Sequence, residues 1–390
     1  MREINYIFLI IAINVMVLLY GVSMLSISYY EAQIFFYEKG FVHHLVNLSC
    51  SIFGQSDYAL RVPFIVLHAV STLLFYKVGE PYLKRKIDRV VSVLIFVLLP
   101  GTVSAALLVN GVSLIIFFTL LFLFFYQRDD KKIAYVVLCL ALFVDRGFVI
   151  LYFLLFFYAI VKRDNVLIAL SLLLFSVSFY FFGYEVSGKP KNFFLDTFGV
   201  YAAIFSPFIF FYFVYTMYRI LIKKRKTVLW WISFGAFVCS ILLSFRQKVP
   251  IESFAPYLII SIPLLVRTFL NSYRVRLPQH RKVYKVLLIF VLFSLVFNTS
   301  LTLFNHNIYS FLENPKKHFA YPYHVAKELS IKLHDMGETS LHIEDSRLAL
   351  RLKFYGISSG YDKKLVESRD GDIVIRYFGL DIAKYKIINF

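Results

Sequence analysis

Charge is what this 390-residue chain has least of for its size, with Asp, Glu, Lys and Arg together making up 17%. Soluble domains carry about a quarter, so this coat is too thin for a water-soluble globule of such length. Cysteine is rarer still. Cys139 and Cys239 lie inside apolar runs and Cys50 stands alone in a loop, so no disulfide framework is expected. No internal repeat or low-complexity segment stands out, which sets aside a repeat array.

What is abundant is apolar: hydrophobic residues reach 59% and aromatics 19%, and the mean hydropathy is +0.70. This excess requires lipid as the solvent for most of the chain. The net charge of +18 raises the question of nucleic acid. Its distribution answers it, because Lys and Arg fall in short clusters between apolar runs, as in a chain threaded through a membrane. No nucleic-acid partner is expected. The first apolar run is too long for a signal-peptide core and lacks a small-x-small cleavage site, so it reads as a retained span.

The pattern predicts an α-helical polytopic membrane protein of about eleven transmembrane helices. The spans fall at 6–27, 62–78, 90–109, 112–126, 133–144, 148–161, 166–182, 198–222, 227–244, 254–270 and 283–303. Spans 133–144 and 148–161 are short and read as a tilted or shallow hairpin turning at Asp145-Arg146-Gly147. Over alternate loops, Lys and Arg favour one side by roughly three to one, which places the N-terminus in the cytoplasm and the C-terminus outside. Residues 1–303 then form the transmembrane domain, with a first outer loop at 28–61 rich enough in apolar residues for short interfacial helices. A second outer segment, 183–197, carries Glu185 and Asp196. Residues 304–390 form a small extracytoplasmic α/β domain, with helices near 322–336 and 346–355 and strands near 339–344, 372–378 and 385–389.

Chemistry is sought on the outer face. Glu31 follows the first span in Ser28-Tyr29-Tyr30-Glu31-Ala32-Gln33. Two readings stand for it: an interfacial acid that merely ends a helix in water, or a carboxylate whose desolvation among aromatics raises its pKa into the range of a general base. Arg61, with Asp57 near it, reads first as an interfacial anchor. His43 and His44 are adjacent, so on a helix they point apart. With no third ligand in view, a metal is not favoured.

The stretch from Tyr30 to Tyr76 resembles the first outer loop and second span of the GT-C glycosyltransferases. The nearest branch is that of the protein O-mannosyltransferases and ArnT-type aminoarabinose transferases. The matching pieces are Tyr30-Glu31-Ala32, His43-His44-Leu45, Ile52-Phe53-Gly54 and Arg61-Val62-Pro63. Val109-Asn110-Gly111, Asp145-Arg146-Gly147 and Ser244-Phe245-Arg246-Gln247-Lys248-Val249-Pro250 follow in the family's order, and Leu352-Lys353-Phe354-Tyr355 is similar to an aromatic element of its outer domain.

The resemblance implies an inverting transfer of sugar from a polyprenyl-phosphate carrier to a lipid, glycan or protein acceptor, at the outer face of a bacterial inner membrane. It assigns Glu31 as the base and Arg246, Lys248 and Arg146 as cations on the departing phosphate. Tyr30, His43, His44, Asp57, Arg61 and Tyr355 are the further loop or acceptor contacts. No cofactor is implied beyond the carrier-linked sugar. One departure is plain: relatives usually carry the catalytic acid where this chain has Tyr30. Two other classes stay open, a lipid-linked-sugar flippase and a non-catalytic envelope assembly protein. A flippase is expected to show charges at mid-span or broken helices in two corresponding halves, whereas these spans are largely free of acids and bases.

Overall fold

The computed structural model describes residues 3–183, 191–223, 226–312, 314–368 and 370–389. The helices in chain order are α1 (Glu3–Ser23), α2 (Tyr29–Phe36), α3 (Phe41–Phe53), α4 (Asp57–Gly79), α5 (Lys86–Leu98) and α6 (Pro100–Leu107). Next come α7 (Val112–Gln127), α8 (Lys131–Ala141), α9 (Phe148–Lys162), α10 (Asn165–Phe182), α11 (Phe194–Phe205) and α12 (Pro207–Lys223). The last of the apolar series are α13 (Val228–Ser244), α14 (Ile251–Ile259), α15 (Ile262–Val275) and α16 (Pro278–Leu303). Among the described residues four helices, α1, α4, α10 and α16, are long and apolar enough to cross a membrane, or up to seven spans if each bent pair is one.

Each expected apolar run contains helix, but three of the runs read as continuous are broken. The α5–α6 break bends the chain by 57° at Leu99-Pro100. Proline has no N–H to give the Phe96 carbonyl four residues back, and the Thr102 hydroxyl donates to that carbonyl instead. The α11–α12 break bends by 107° at Ser206, whose φ of 67° is left-handed, with Pro207 opening the next helix. The α14–α15 break bends by 41°, with Pro263 in the first turn of α15. The short hairpin is as expected: α8 and α9 flank Asp145-Arg146-Gly147, and the Tyr152 hydroxyl donates to the Leu138 carbonyl across it. Cys50, expected in a loop, lies buried within α3.

The chain packs as two compact units. The first holds the chain up to Val15, Phe64–Ala106 and Asn110–Thr299. Its buried charge is sparing; Asp88 on α5 is paired with Arg274 on α15.

The second unit holds Met16–Pro63, Leu107–Val109 and the chain from Ser300. It therefore joins the first outer loop to the C-terminal α/β domain. After 3-10 turns at Asn305–Phe311, Pro315–Lys317 and Tyr321–Tyr323, the domain runs α17 (Ala326–Asp335), β1 (Ser340–Ile343), α18 (Ser346–Phe354), β2 (Ser358–Glu367), β3 (Ile373–Tyr377) and β4 (Leu380–Asn389). The sheet order is β1-β2-β4-β3. β1 and β2 are parallel across the α18 crossover, and the other pairs are antiparallel. Leu329 and Leu333 of α17, Leu348 and Leu352 of α18, and Leu365, Ile373 and Ile375 of the sheet make the core. Strand β2 was not expected. Its Asp362-Lys363-Lys364 run lacks an apolar alternation, and ion pairs from Lys363 to Glu338 and Lys364 to Glu344 hold it instead.

At the start of this domain His306 stacks on His324 with ring centroids 4.1 Å apart, and Tyr309 stacks on His318 at 4.3 Å. The Tyr309 hydroxyl and His324 Nδ1 are 2.7 Å apart. Burial among these rings pulls His306 down to about 4 and His324 to about 2, and lowers His318 as well.

Candidate functional site

Helix α2 begins with a reciprocal cap that the Ser28-x-x-Glu31 spacing encodes. The Glu31 N–H donates to the Ser28 hydroxyl at 3.2 Å, and the Ser28 N–H donates to Glu31 Oε2 at 2.8 Å. The same Oε2 accepts from Arg61 Nη2 at 2.9 Å, while Oε1 accepts the Val109 N–H at 3.0 Å. Glu31 is 2% exposed. Burial of this carboxylate, inferred from its neighbours in sequence, is therefore real, but it is matched by one cation and two backbone donors. Both oxygens are engaged in holding α2 to α4 and to the 107–109 turn.

Arg61 is fully buried rather than anchored at an interface. Besides Glu31 it reaches the Ser26 carbonyl at 3.0 Å and Asp57 Oδ1 at 3.5 Å. The i,i+4 spacing on α4 is what places Asp57 beside it. Asp57 Oδ1 also accepts the Tyr355 hydroxyl at 2.7 Å, and Lys327 Nζ lies 3.3 Å from Oδ2. Tyr355 in turn accepts the Ile27 N–H at 2.8 Å. Burial and the Asp57 carboxylate hold its phenol far above the usual tyrosine range. Arg351, 7% exposed, donates to the Ile27 and His324 carbonyls and to the Ser26 hydroxyl. Two acids and three cations from four parts of the chain thus meet in one buried network within the second unit.

Of the residues expected from sequence, this network brings together Glu31, Asp57, Arg61 and Tyr355. Tyr30 is left outside it, 72% exposed. His43 contacts the Ile34 carbonyl at 2.8 Å and Asn47, while His44 is exposed on α3. Among the described residues no group of three His, Cys, Asp or Glu is placed to hold a metal. Sequence reasoning missed Lys327 and Arg351. The signal for Arg351 was available, because its i+3 spacing from Leu348 puts it on the apolar face that Leu348 and Leu352 share.

The expected phosphate cations lie in the first unit. Arg146 sits in the α8–α9 turn, and Arg246 and Lys248 lie between α13 and α14. All three are exposed. Among the described residues Lys191 and Phe193 donate their N–H groups to the Arg246 and Ser244 carbonyls, fixing that connection. The Tyr257 hydroxyl of α14 donates to the Gly147 carbonyl at 2.9 Å, which ties α14 to the turn that carries Arg146. Asp145 occupies the same turn, its Oδ1 accepting the Gly147 N–H at 2.7 Å. Asp196 is exposed in the first turn of α11, and Glu185 lies outside the described residues.

No protein-family model matches this chain, and no curated protein matches it. Solved structures do. ArnT from Cupriavidus metallidurans bound to undecaprenyl phosphate aligns with a TM-score of 0.55 at 12% identity, over 90% of this chain and 85% of that one. The same ArnT in the apo state aligns with a TM-score of 0.50 at 13% identity over the same shares. The chain has the helical fold of ArnT, as its sequence resemblance led one to expect.

Proposed function

We propose that this protein is a membrane glycosyltransferase that takes a sugar from a polyprenyl-phosphate carrier and passes it, with inversion, to a lipid, glycan or protein hydroxyl at the outer face of a bacterial inner membrane. The observation that carries the proposal is the likeness over nine-tenths of the chain to an ArnT that binds undecaprenyl phosphate. The exposed Arg146, Arg246 and Lys248 supply what such a reaction demands at the leaving group. As the bond from the anomeric carbon to the carrier oxygen breaks, negative charge grows on phosphate, and cations aimed there stabilise the transition state more than the ground state. Arginine grips phosphate oxygens in a fork and lysine acts as a point charge.

Glu31 is assigned here to building the site. For it to act as a base, Oε1 must first lose the Val109 N–H or Oε2 its arginine, and a base needs direct reach to the proton it takes. A second reading is favoured by one observation: Tyr30, standing where relatives carry an acid, is exposed. It holds the protein to be a carrier-binding assembly factor without transferase activity.

The test uses purified full-length protein in lipid, a membrane extract as acceptor and radiolabelled polyprenyl-phosphate sugars. Transfer by wild type, lost on Arg246→Ala with Lys248→Ala, supports the transferase. Carrier binding with no transfer from any donor supports the assembly reading. Glu31→Gln included in the same series separates roles. Loss of transfer with unchanged melting makes Glu31 the base; parallel loss of both makes it the organiser of the loop.

A further inference from the structure

Three acids are buried, Glu31, Asp57 and Asp88, and Asp145 is half-buried. The first three are each ion-paired with an arginine. Asp145 has no such pair among the described residues. Its turn is built around the carboxylate instead. Oδ1 caps the Gly147 N–H at 2.7 Å. Oδ2 lies over the α carbon of Gly111, where an added Cβ would come within 2.0 Å of it. A Cβ on Gly147 would likewise meet Oδ1 at 3.1 Å and Ile115 at 2.6 Å. Two glycines, one on each of two turns at the same end of the helices, therefore clear the space that this carboxylate fills. The residue keeps partial exposure.

We propose that Asp145 is the proton acceptor of the transfer reaction, taking the proton of the acceptor hydroxyl. The inference rests on the transferase reading above. In the step, the hydroxyl oxygen forms a bond to the anomeric carbon, and the bond from that carbon to the carrier oxygen breaks. The electron pair leaves with the carrier phosphate, and the hydroxyl proton goes to Asp145, which ends neutral. A base suited to this task holds its proton near the working pH. Burial raises Asp145 above the ordinary aspartate range, with the Gly147 N–H and the Arg146 charge pulling the other way. The titratable and charged groups that face it are Arg146 on its own turn and Tyr257 on α14. Tyr257 is fully buried with its hydroxyl committed to the Gly147 carbonyl. No lysine or arginine of a neighbouring helix is paired with it among the described residues.

The experiment measures transfer against pH for wild type, Asp145→Asn, Asp145→Glu and Gly111→Ala, each as full-length protein in lipid. Carrier binding is measured alongside with polyprenyl phosphate itself. Asp145→Asn is expected to lose about 100-fold or more in rate and to lose the acid limb of the profile, with carrier binding kept. Asp145→Glu restores part of both. Gly111→Ala, which displaces the carboxylate, loses rate in parallel. Asp145→Asn with a wild-type rate and acid limb overturns the proposal while the transferase reading stands. No transfer by wild type from any donor overturns that reading and this inference with it. An infrared titration of wild type minus Asp145→Asn gives a readout free of turnover. A carboxyl that titrates above the ordinary aspartate range supports the proposal, and one within it overturns the proposal even if transfer is lost.

Discussion

Replacing Arg61 by methionine removes the one cation that touches both acids of the buried network. Arg61 has no solvent exposure, lies 2.9 Å from Glu31 and 3.5 Å from Asp57, and holds the Ser26 carbonyl at 3.0 Å. Methionine fills most of the space, so the loss is electrostatic rather than a cavity. Breaking a buried pair from one side costs about 3–5 kcal/mol, because a charge is left without its partner. Here two carboxylates are orphaned, but each keeps other donors: Lys327 and Tyr355 for Asp57, Ser28 and Val109 for Glu31. The expected cost therefore sits in that range rather than at twice it. Cys50 offers a local reporter, since it is buried in α3 of the same unit. In a background with Cys139→Ser and Cys239→Ser, its labelling rate under native conditions follows the opening of this unit. At about 1.4 kcal/mol per tenfold, Arg61→Met is expected to speed labelling by roughly a hundredfold to a few thousandfold. Glu31→Gln alone is expected to cost about 2 kcal/mol, through the lost ion pair and one misdirected amide. The double variant is expected to cost less than the sum, since removing both partners leaves one orphaned charge fewer. Labelling of Arg61→Met within threefold of its parent refutes the view that this pair holds the unit together.

Other outcomes follow from the same geometry. His306, His318 and His324 are held neutral by burial, with folded pKa values lowered from the ordinary 6.5. The stability they protect is complete above the unfolded pKa and is lost as pH falls below it. Stability is therefore lost between pH 6.5 and 4, read as a falling melting temperature on acidification that His306→Asn flattens. Tyr355→Phe strands the Ile27 N–H and takes a donor from Asp57, an expected cost of about 1–2 kcal/mol on the Cys50 reporter. Gly371→Ala puts a Cβ 2.5 Å from the Tyr385 carbonyl oxygen, so the β3–β4 pairing must shift at about 1–3 kcal/mol, visible as faster amide exchange in those strands. Asp145 has a raised folded pKa, so its contribution is present at acid pH and lost as pH rises through that value. Asp145→Asn is expected to melt higher than wild type at neutral pH and together with it in acid.

The helical membrane class was legible because composition and run length are properties of single segments. The three breaks were less so. Pro100, Pro207 and Pro263 are visible in sequence, yet proline inside a lipid-facing helix is tolerated often enough that its presence alone does not mark a break. What decides is a partner such as Thr102, whose hydroxyl takes up the freed carbonyl. The C-terminal domain showed its helices and three of its strands, but β2 is held by ion pairs and by neighbours on both sides, which a period-2 pattern does not carry. At the site, Glu31, Asp57, Arg61 and Tyr355 were chosen from sequence, and the structure gathers all four. Their partners were hidden because Lys327 and Arg351 lie some 300 residues away along the chain from the residues they touch.

The two kinds of acid in this chain are separated by what surrounds them. A carboxylate paired with an arginine is held in one place, which suits it to joining elements. Glu31, Asp57 and Asp88 share that setting. Asp145 has no ion pair among the described residues and is half-buried, with Gly111 and Gly147 against its carboxylate. Nothing in the packing of the α8–α9 turn requires an ionisable group there, since an asparagine would cap the Gly147 N–H as well. Asp145→Asn, which keeps the cap on the Gly147 N–H and removes the titrating group, is therefore the substitution that separates a structural turn from a reacting one.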